Sequence, residues 1–151
     1  MGRMVMAPLA GITLASDATQ DIWSLMAAAT NKLILHGWEI SSAAVAAEIM
    51  AVTLHGITAH GTTSGGEATE VKLDTDDGAI TGTVEYGHTT AGASGGIGIL
   101  AGFQWEQLGP LGMVYTPEMR PVIEVSTGIA LGCFTAATEI AISGWICWEE
   151  I

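Results

Sequence analysis

The chain has 151 residues, 49% of them apolar and only 13% charged, with a mean hydropathy of +0.44 and a net charge of −12 at pH 7. That length suits one domain with a single core, and its four cations, Arg3, Lys32, Lys72 and Arg120, cannot form a phosphate-tracking patch, which argues against direct nucleic-acid binding. No apolar run approaches the roughly 18 residues of a spanning helix, so the scarcity of charge points to a subunit interface and not to a membrane.

In chain order, Met1 to Ala7 is Met-rich and ends at Pro8. It reads as an N-terminal arm, residues 1–8, with a disordered start as the alternative, ahead of a single domain, 9–151. Fixing each backbone residue costs roughly 1–2 kcal/mol, so so short a segment orders only by burying its methionines against a neighbour. Arg3, Met4 and Met6 are therefore the candidate interface residues. The apolar run is too short for a signal peptide.

Leu9 to Ala15 can form a first short strand, and Gln20 to Ala29 fits either a helical turn or a strand, with strand preferred because clear β segments follow. Lys32 to Ile40 and Glu48 to Gly56 alternate well. Ile57 to Thr69 is a long Gly/Thr/Ser loop. Val71 to Leu73 is a short strand before the acidic turn Asp74-Thr75-Asp76-Asp77-Gly78, and Ile80 to Tyr86 alternates weakly. His88 to Gly96 is a second small-residue loop.

Ile97 to Glu106 reads as a strand with Ile97, Ile99, Phe103 and Trp105 on one face. Gly109-Pro110 breaks it and Leu111 to Thr116 resumes. Beyond the proline-bracketed turn Pro117 to Pro121 come the β-like segments Val122 to Val125 and Ile129 to Thr135, and a turn at Ala136 to Thr138. The closing segment, Glu139 to Glu150, places Ile140, Ile142, Gly144, Ile146 and Trp148 on one face. With two tryptophans so near its end, it should be an inner strand between partners. Eight to ten short strands without a long helix predict an all-β fold, an antiparallel β-sandwich that is jelly-roll-like.

Chemistry is sparse at this level. His55 and His60 straddle a strand end and a loop, with no third ligand nearby at zinc spacing; His36 and His88 read likewise as strand-surface or loop residues. Asp74, Asp76 and Asp77 resemble a loose Ca²⁺ loop but lack the closing Glu and flanking helices of an EF-hand, which leaves a solvated turn. Cys133 and Cys147 have no metal spacing and read as buried free thiols, with a cross-strand disulfide as the alternative. No G-x-S-x-G surrounds Ser64 or Ser94, and Glu149 and Glu150, as strand neighbours, point apart. The five tryptophans read as core and interface anchors more than as a sugar platform. No catalytic, cofactor-binding or metal-binding residue is expected.

Several segments carry a resemblance: D-I-W-S-L-M-A-A-A-T-N-K-L-I-L-H from Asp21, A-A-E-I-M-A-V-T-L-H-G from Ala46, T-T-S-G-G from Thr62, Y-T-P-E-M-R-P-V-I from Tyr115 and S-G-W-I-C-W-E-E from Ser143. Together they resemble a loosely defined group of small β-sandwich virion proteins of tailed bacteriophages, some of which look like capsid decoration (cement) proteins. The similarity is a scattered pattern over Thr13 to Glu150, clearest in the P-E-x-R-P turn and the T-x-x-G-G loop. It implies a non-enzymatic structural protein on the capsid surface of the virion. Such a protein would be a homotrimer bridging capsomers, with the major capsid protein as partner and no cofactor. The alternative is a receptor- or carbohydrate-binding module of a phage tail or fibre.

Overall fold

The computed structural model describes all residues but Met1, Asp17, Val45, Ala47 and 135–138, and only the backbone of Ser64 and Gly65. Its first four strands are β1 (Arg3–Leu14), β2 (Thr19–Met26), β3 (Leu33–Ser42) and β4 (Ile49–Ile57). Next come β5 (Thr63–Glu67), β6 (Val71–Lys72), β7 (Thr83–His88), β8 (Ile99–Glu106) and β9 (Leu111–Val114). After a 3-10 turn at Pro117–Met119 follow β10 (Val122–Ile123), β11 (Gly128–Phe134) and β12 (Ile140–Glu150). The pairings among the described residues are all antiparallel.

The strands form two sheets. The first runs β10-β3-β12-β1-β6, and β9 also pairs with β3. Along that edge of β3, β9 covers Gly37 to Ile40 while β10 covers Leu33 and Ile34. The second sheet runs β5-β7-β2-β11-β4-β8. With β1-β12-β3-β9 in one layer and β2-β11-β4-β8 in the other, the strand order is that of a jelly-roll sandwich.

β12 behaves as its alternation requires. Ile142, Ile146 and Trp148 are fully buried, and the strand lies between β1 and β3. Across the core, Trp23 of β2 meets Trp38 of β3 with ring centroids 6.1 Å apart, and Trp38 meets Phe103 of β8 edge-on at 5.8 Å. Such ring pairs add roughly 0.5–1.5 kcal/mol each beyond their buried area, and these two join one sheet to the other.

Two expectations need correction. The segment read as an arm is the first half of β1. Residues Arg3 to Leu9 pair continuously with Glu150 to Gly144, and Val5 and Ala7 are fully buried. Met4 and Met6 alternate with these and lie half-buried on the opposite face of the strand. Pro8 does not end the strand because β6 pairs only with Val5 and Met6; past them β1 is an edge, where a missing N–H is tolerated.

The second correction concerns β8. Register slips between Leu54 and His55, so that Leu54 opposes Ala101 and His55 opposes Ile99, with Leu100 as the extra residue. A one-residue bulge exchanges the faces beyond it. Trp105 therefore stays in the core while Ile97 and Ile99 are exposed.

Candidate functional site

The outer face of the second sheet should be polar and wet, yet part of it is closed over. Of the segment read as a loop over Ile57 to Thr69, Thr63–Glu67 is strand β5; its remainder before β5 and the second small-residue loop lie across this face and pair with each other: Thr58 N–H donates to Ala93 O at 2.7 Å, Ala93 N–H to Ala59 O at 3.2 Å and Thr89 N–H to Thr62 O at 2.7 Å. One transverse row of side chains, set by register, crosses this face: Glu67 on β5, Glu85 on β7, Ser24 on β2, Ala130 on β11, His55 on β4 and Ile99 on β8, its middle covered and its ends, Glu67 and Ile99, exposed. The loops bury Asp21, Ser24 and His88 almost completely.

Ser24 is the hub. Its Oγ is 2.6 Å from His60 Nδ1 and 2.8 Å from His88 Nε2, and the two rings stack 14° from parallel at 6.2 Å. Strict alternation would send His88 to the core side with Tyr86 and Val84. Gly87, at φ 64°, breaks the alternation in a backbone conformation that costs glycine nothing, and His88 reaches Ser24 on the outer face.

The protons in this cluster have one consistent arrangement for neutral rings. His88 Nδ1 is 3.2 Å from Gly61 O, which can only accept, so Nδ1 carries the hydrogen and Nε2 the lone pair. The Ser24 hydroxyl then donates to His88 Nε2 and accepts from His60 Nδ1–H. His60 Nε2 is left with its lone pair, 3.1 Å from Thr83 Oγ1 and 3.9 Å from Glu85 Oε1. Burial lowers the pKa of His60 below its ordinary 6.5, against the opposing pull of Glu85, which favours the neutral ring.

Asp21 forms a second unit. Its Oδ2 accepts the Gly92 N–H at 2.6 Å, and its Oδ1, which makes no hydrogen bond, is 3.4 Å from His55 Nε2. Desolvation raises the carboxyl above its usual 3.8, with the Gly92 N–H and His55 opposing. The pair lines a hollow of about 170 Å³ with Thr53, Cys133 and Phe134. Burial, with the nearby Asp21 charge, pushes the Cys133 thiol up to about 12.

Serine, histidine and aspartate are thus gathered but divided. Asp21 pairs with His55, whereas the rings on Ser24 are His60 and His88, and Ser24 has no exposed surface for attack on a substrate. A relay needs the base on the nucleophile to be oriented by the acid, and this geometry does not provide it. The cluster is better arranged for holding a cation: one donor atom from each of His60, Glu85 and His88 lies within 4.8 Å of the others.

By sequence spacing His55 falls beside His60, with no third ligand near them. The structure separates those two and supplies His60 with Glu85 and His88 from β7, a grouping that no local spacing signals. The histidines are also less exposed than surface residues, His88 being only 1% accessible. Of the candidate interface residues, Arg3 is engaged in an ion pair with Glu150 at 3.0 Å. Met4 and Met6 lie half-buried on the outer face of the first sheet, Met6 beside Trp145 and His36.

Asp74 forms a local turn, its Oδ1 accepting the Asp76 N–H at 3.0 Å. Cys133 and Cys147 are free, buried and on different sheets. Trp23, Trp38, Trp105 and Trp148 are buried in the core and present no face to a sugar. No protein-family model, curated protein or solved structure matches the chain.

Proposed function

We propose that this sandwich is a structural protein of a phage virion, a capsid decoration protein that works by surface burial in assembled copies. The observation that carries this reading is the apolar seam where the two sheets' edges meet. Ile97 and Leu100 beside β8 face Val122 and Ile123 of β10 across a groove of about 400 Å³, with Glu124 as its one charged lining residue. Leu100 is 51% exposed and Val122 54%. Apolar edge strands left bare are pairing surfaces, and depletion of charge marks the centre of an interface.

The occupant we assign to the seam is a second copy of this chain, joined head to tail so that a ring closes as a trimer. The ring then presents itself to the major capsid protein. The sequence resemblance to small phage virion proteins supports the same reading, as does a fold in which the described residues hold their chemistry under loops.

The test is sedimentation of the purified chain, alone and co-expressed with the major capsid protein of its genome. Trimers that bind shells in copy numbers comparable to the capsid protein support the proposal. The paired substitution Leu100→Lys and Val122→Lys should leave a folded monomer. A wild-type monomer at every concentration that also fails to bind shells would sink it.

A further inference from the structure

We propose that His60, Glu85 and His88 form a binding site for a divalent first-row transition-metal ion, which pins β7 to the loop between β4 and β5. The inference stands apart from the virion reading and holds whether or not the protein decorates a capsid.

Three independent features converge. The first is donor placement. The three side chains bring one donor atom each within 4.8 Å of one another, although His60 is 25 residues from Glu85 and 28 from His88 by sequence number. Two imidazoles and one carboxylate form a ligand set suited to zinc, cobalt, nickel or iron(II), and not to calcium or magnesium, which take oxygen ligands.

The second is the outer hydrogen bonding. Metal-bound histidines nearly always donate their other ring N–H to an oxygen, which fixes ring and tautomer. Here His88 Nδ1–H is directed to Gly61 O and His60 Nδ1–H to Ser24 Oγ. Both Nε2 atoms therefore carry lone pairs. That of His60 faces Thr83 and Glu85, and that of His88 receives only the hydrogen of the Ser24 hydroxyl, which can turn away while Oγ still accepts from His60.

The third is uncompensated charge. Glu67 and Glu85 stand directly opposite each other on β5 and β7, where like charges repel. The chain's four Lys and Arg side chains are elsewhere. Arg3 is on Glu150, Lys32 on Glu124, Lys72 on the Asp77 carbonyl, and Arg120 near Cys147 of the other sheet. A bound dication would relieve the repulsion, and Glu67 is placed to approach the ion from across the strand pair. Solvent reaches the cluster from that side, the His60 and Glu85 side chains being 18% and 27% exposed.

The experiment is calorimetric titration of the chelator-treated full chain with Zn²⁺, with Co²⁺ absorption as a reporter of the ligand field. One ion should bind per chain, raise the melting temperature and be removed by EDTA. Glu85→Gln, which keeps the shape of the side chain and removes its charge, should lose the site. Ser24→Ala, which removes the group orienting His60, should weaken binding about 10–100-fold. His36→Gln, on the other sheet, should bind as the wild type does. Failure of the wild type to bind Zn²⁺, or equal binding by wild type and Glu85→Gln, would overturn the assignment.

Discussion

Arg3 Nη2 lies 3.0 Å from Glu150 Oε2, and the Glu150 side chain has no solvent exposure at all. The carboxylate also accepts the N–H groups of Thr81 at 2.9 Å and Gly82 at 2.6 Å. A charge is tolerated in such a place only when it is paired and hydrogen-bonded, and here β1 and the segment before β7 both supply donors to β12. Arg3→Met leaves Glu150 buried with only the Thr81 and Gly82 donors, and no opposite charge. We expect a loss of about 2 kcal/mol, which is roughly 4–8 °C in Tm for a chain of this size. A change under about 0.5 kcal/mol, as for an exposed pair, would show that the burial is not felt.

Deleting residues 1–7 should be far more severe. It removes five pairs of the β1–β12 ladder, from Arg3↔Glu150 to Ala7↔Ile146, together with the buried Val5 and Ala7. It also leaves Trp148 and Ile146 beside an unfilled edge. The truncated chain is expected to lose its near-ultraviolet circular dichroism and aggregate. A soluble, cooperatively melting product would mean that β1 contributes as little as a detachable arm.

How far the sequence could be read depended on whether a feature is local. The alternation in β12 specifies its buried face without help from other strands, and Ile140, Ile142, Ile146 and Trp148 went where period two sends them. β1 is not legible locally, because Pro8 ordinarily stops a strand and only the short reach of β6 makes it harmless. β8 was half right: Phe103 and Trp105 point to the core as expected, but the bulge at Leu100 turns Ile99 outward. The metal-type cluster was illegible for a different reason. It requires β5, β7 and β2 to be neighbours, Gly87 to redirect His88, and two loops to fold over the sheet, none of which is encoded by ligand spacing.

Gly132 is a sharp probe of the covered face. A Cβ there would sit 2.8 Å from His55 Cε1 and 2.9 Å from Asp21 Oδ1, closer than side chains can approach. Gly132→Ala should force His55 off Asp21 and cost about 1–3 kcal/mol, as overpacking does. Urea unfolding would measure this. A neutral result would mean that His55 moves aside freely and that its contact with Asp21 has little energetic weight.

The thiols should be silent. Cys133 is 4% exposed with its pKa at about 12, and Cys147 is 8% exposed with its pKa raised by burial, against a lowering by Arg120. Reaction requires thiolate and access. A colorimetric thiol reagent at pH 8 should therefore titrate almost nothing in the native protein and two groups in denaturant. Rapid labelling of the native chain would contradict the burial of both.

The last prediction concerns pH and rests on Asp21. Burial raises its pKa in the folded state above the unfolded value of 3.8, although the Gly92 N–H and the histidines pull it down. A group raised in this way contributes its stability fully below 3.8 and loses it as pH rises through the folded-state value. The groups facing it are His55 from β4, His60 and His88 from beneath the loops, and the Cys133 thiol from β11. Asp21→Asn keeps an oxygen for the Gly92 N–H but carries no charge to desolvate. Its stability relative to wild type should therefore increase as pH rises from about 4 towards neutrality. Denaturant unfolding of both proteins at several pH values provides the comparison. A difference that stays flat across the range, or grows as pH falls, would mean that the pairing with His55 outweighs the burial of the carboxylate.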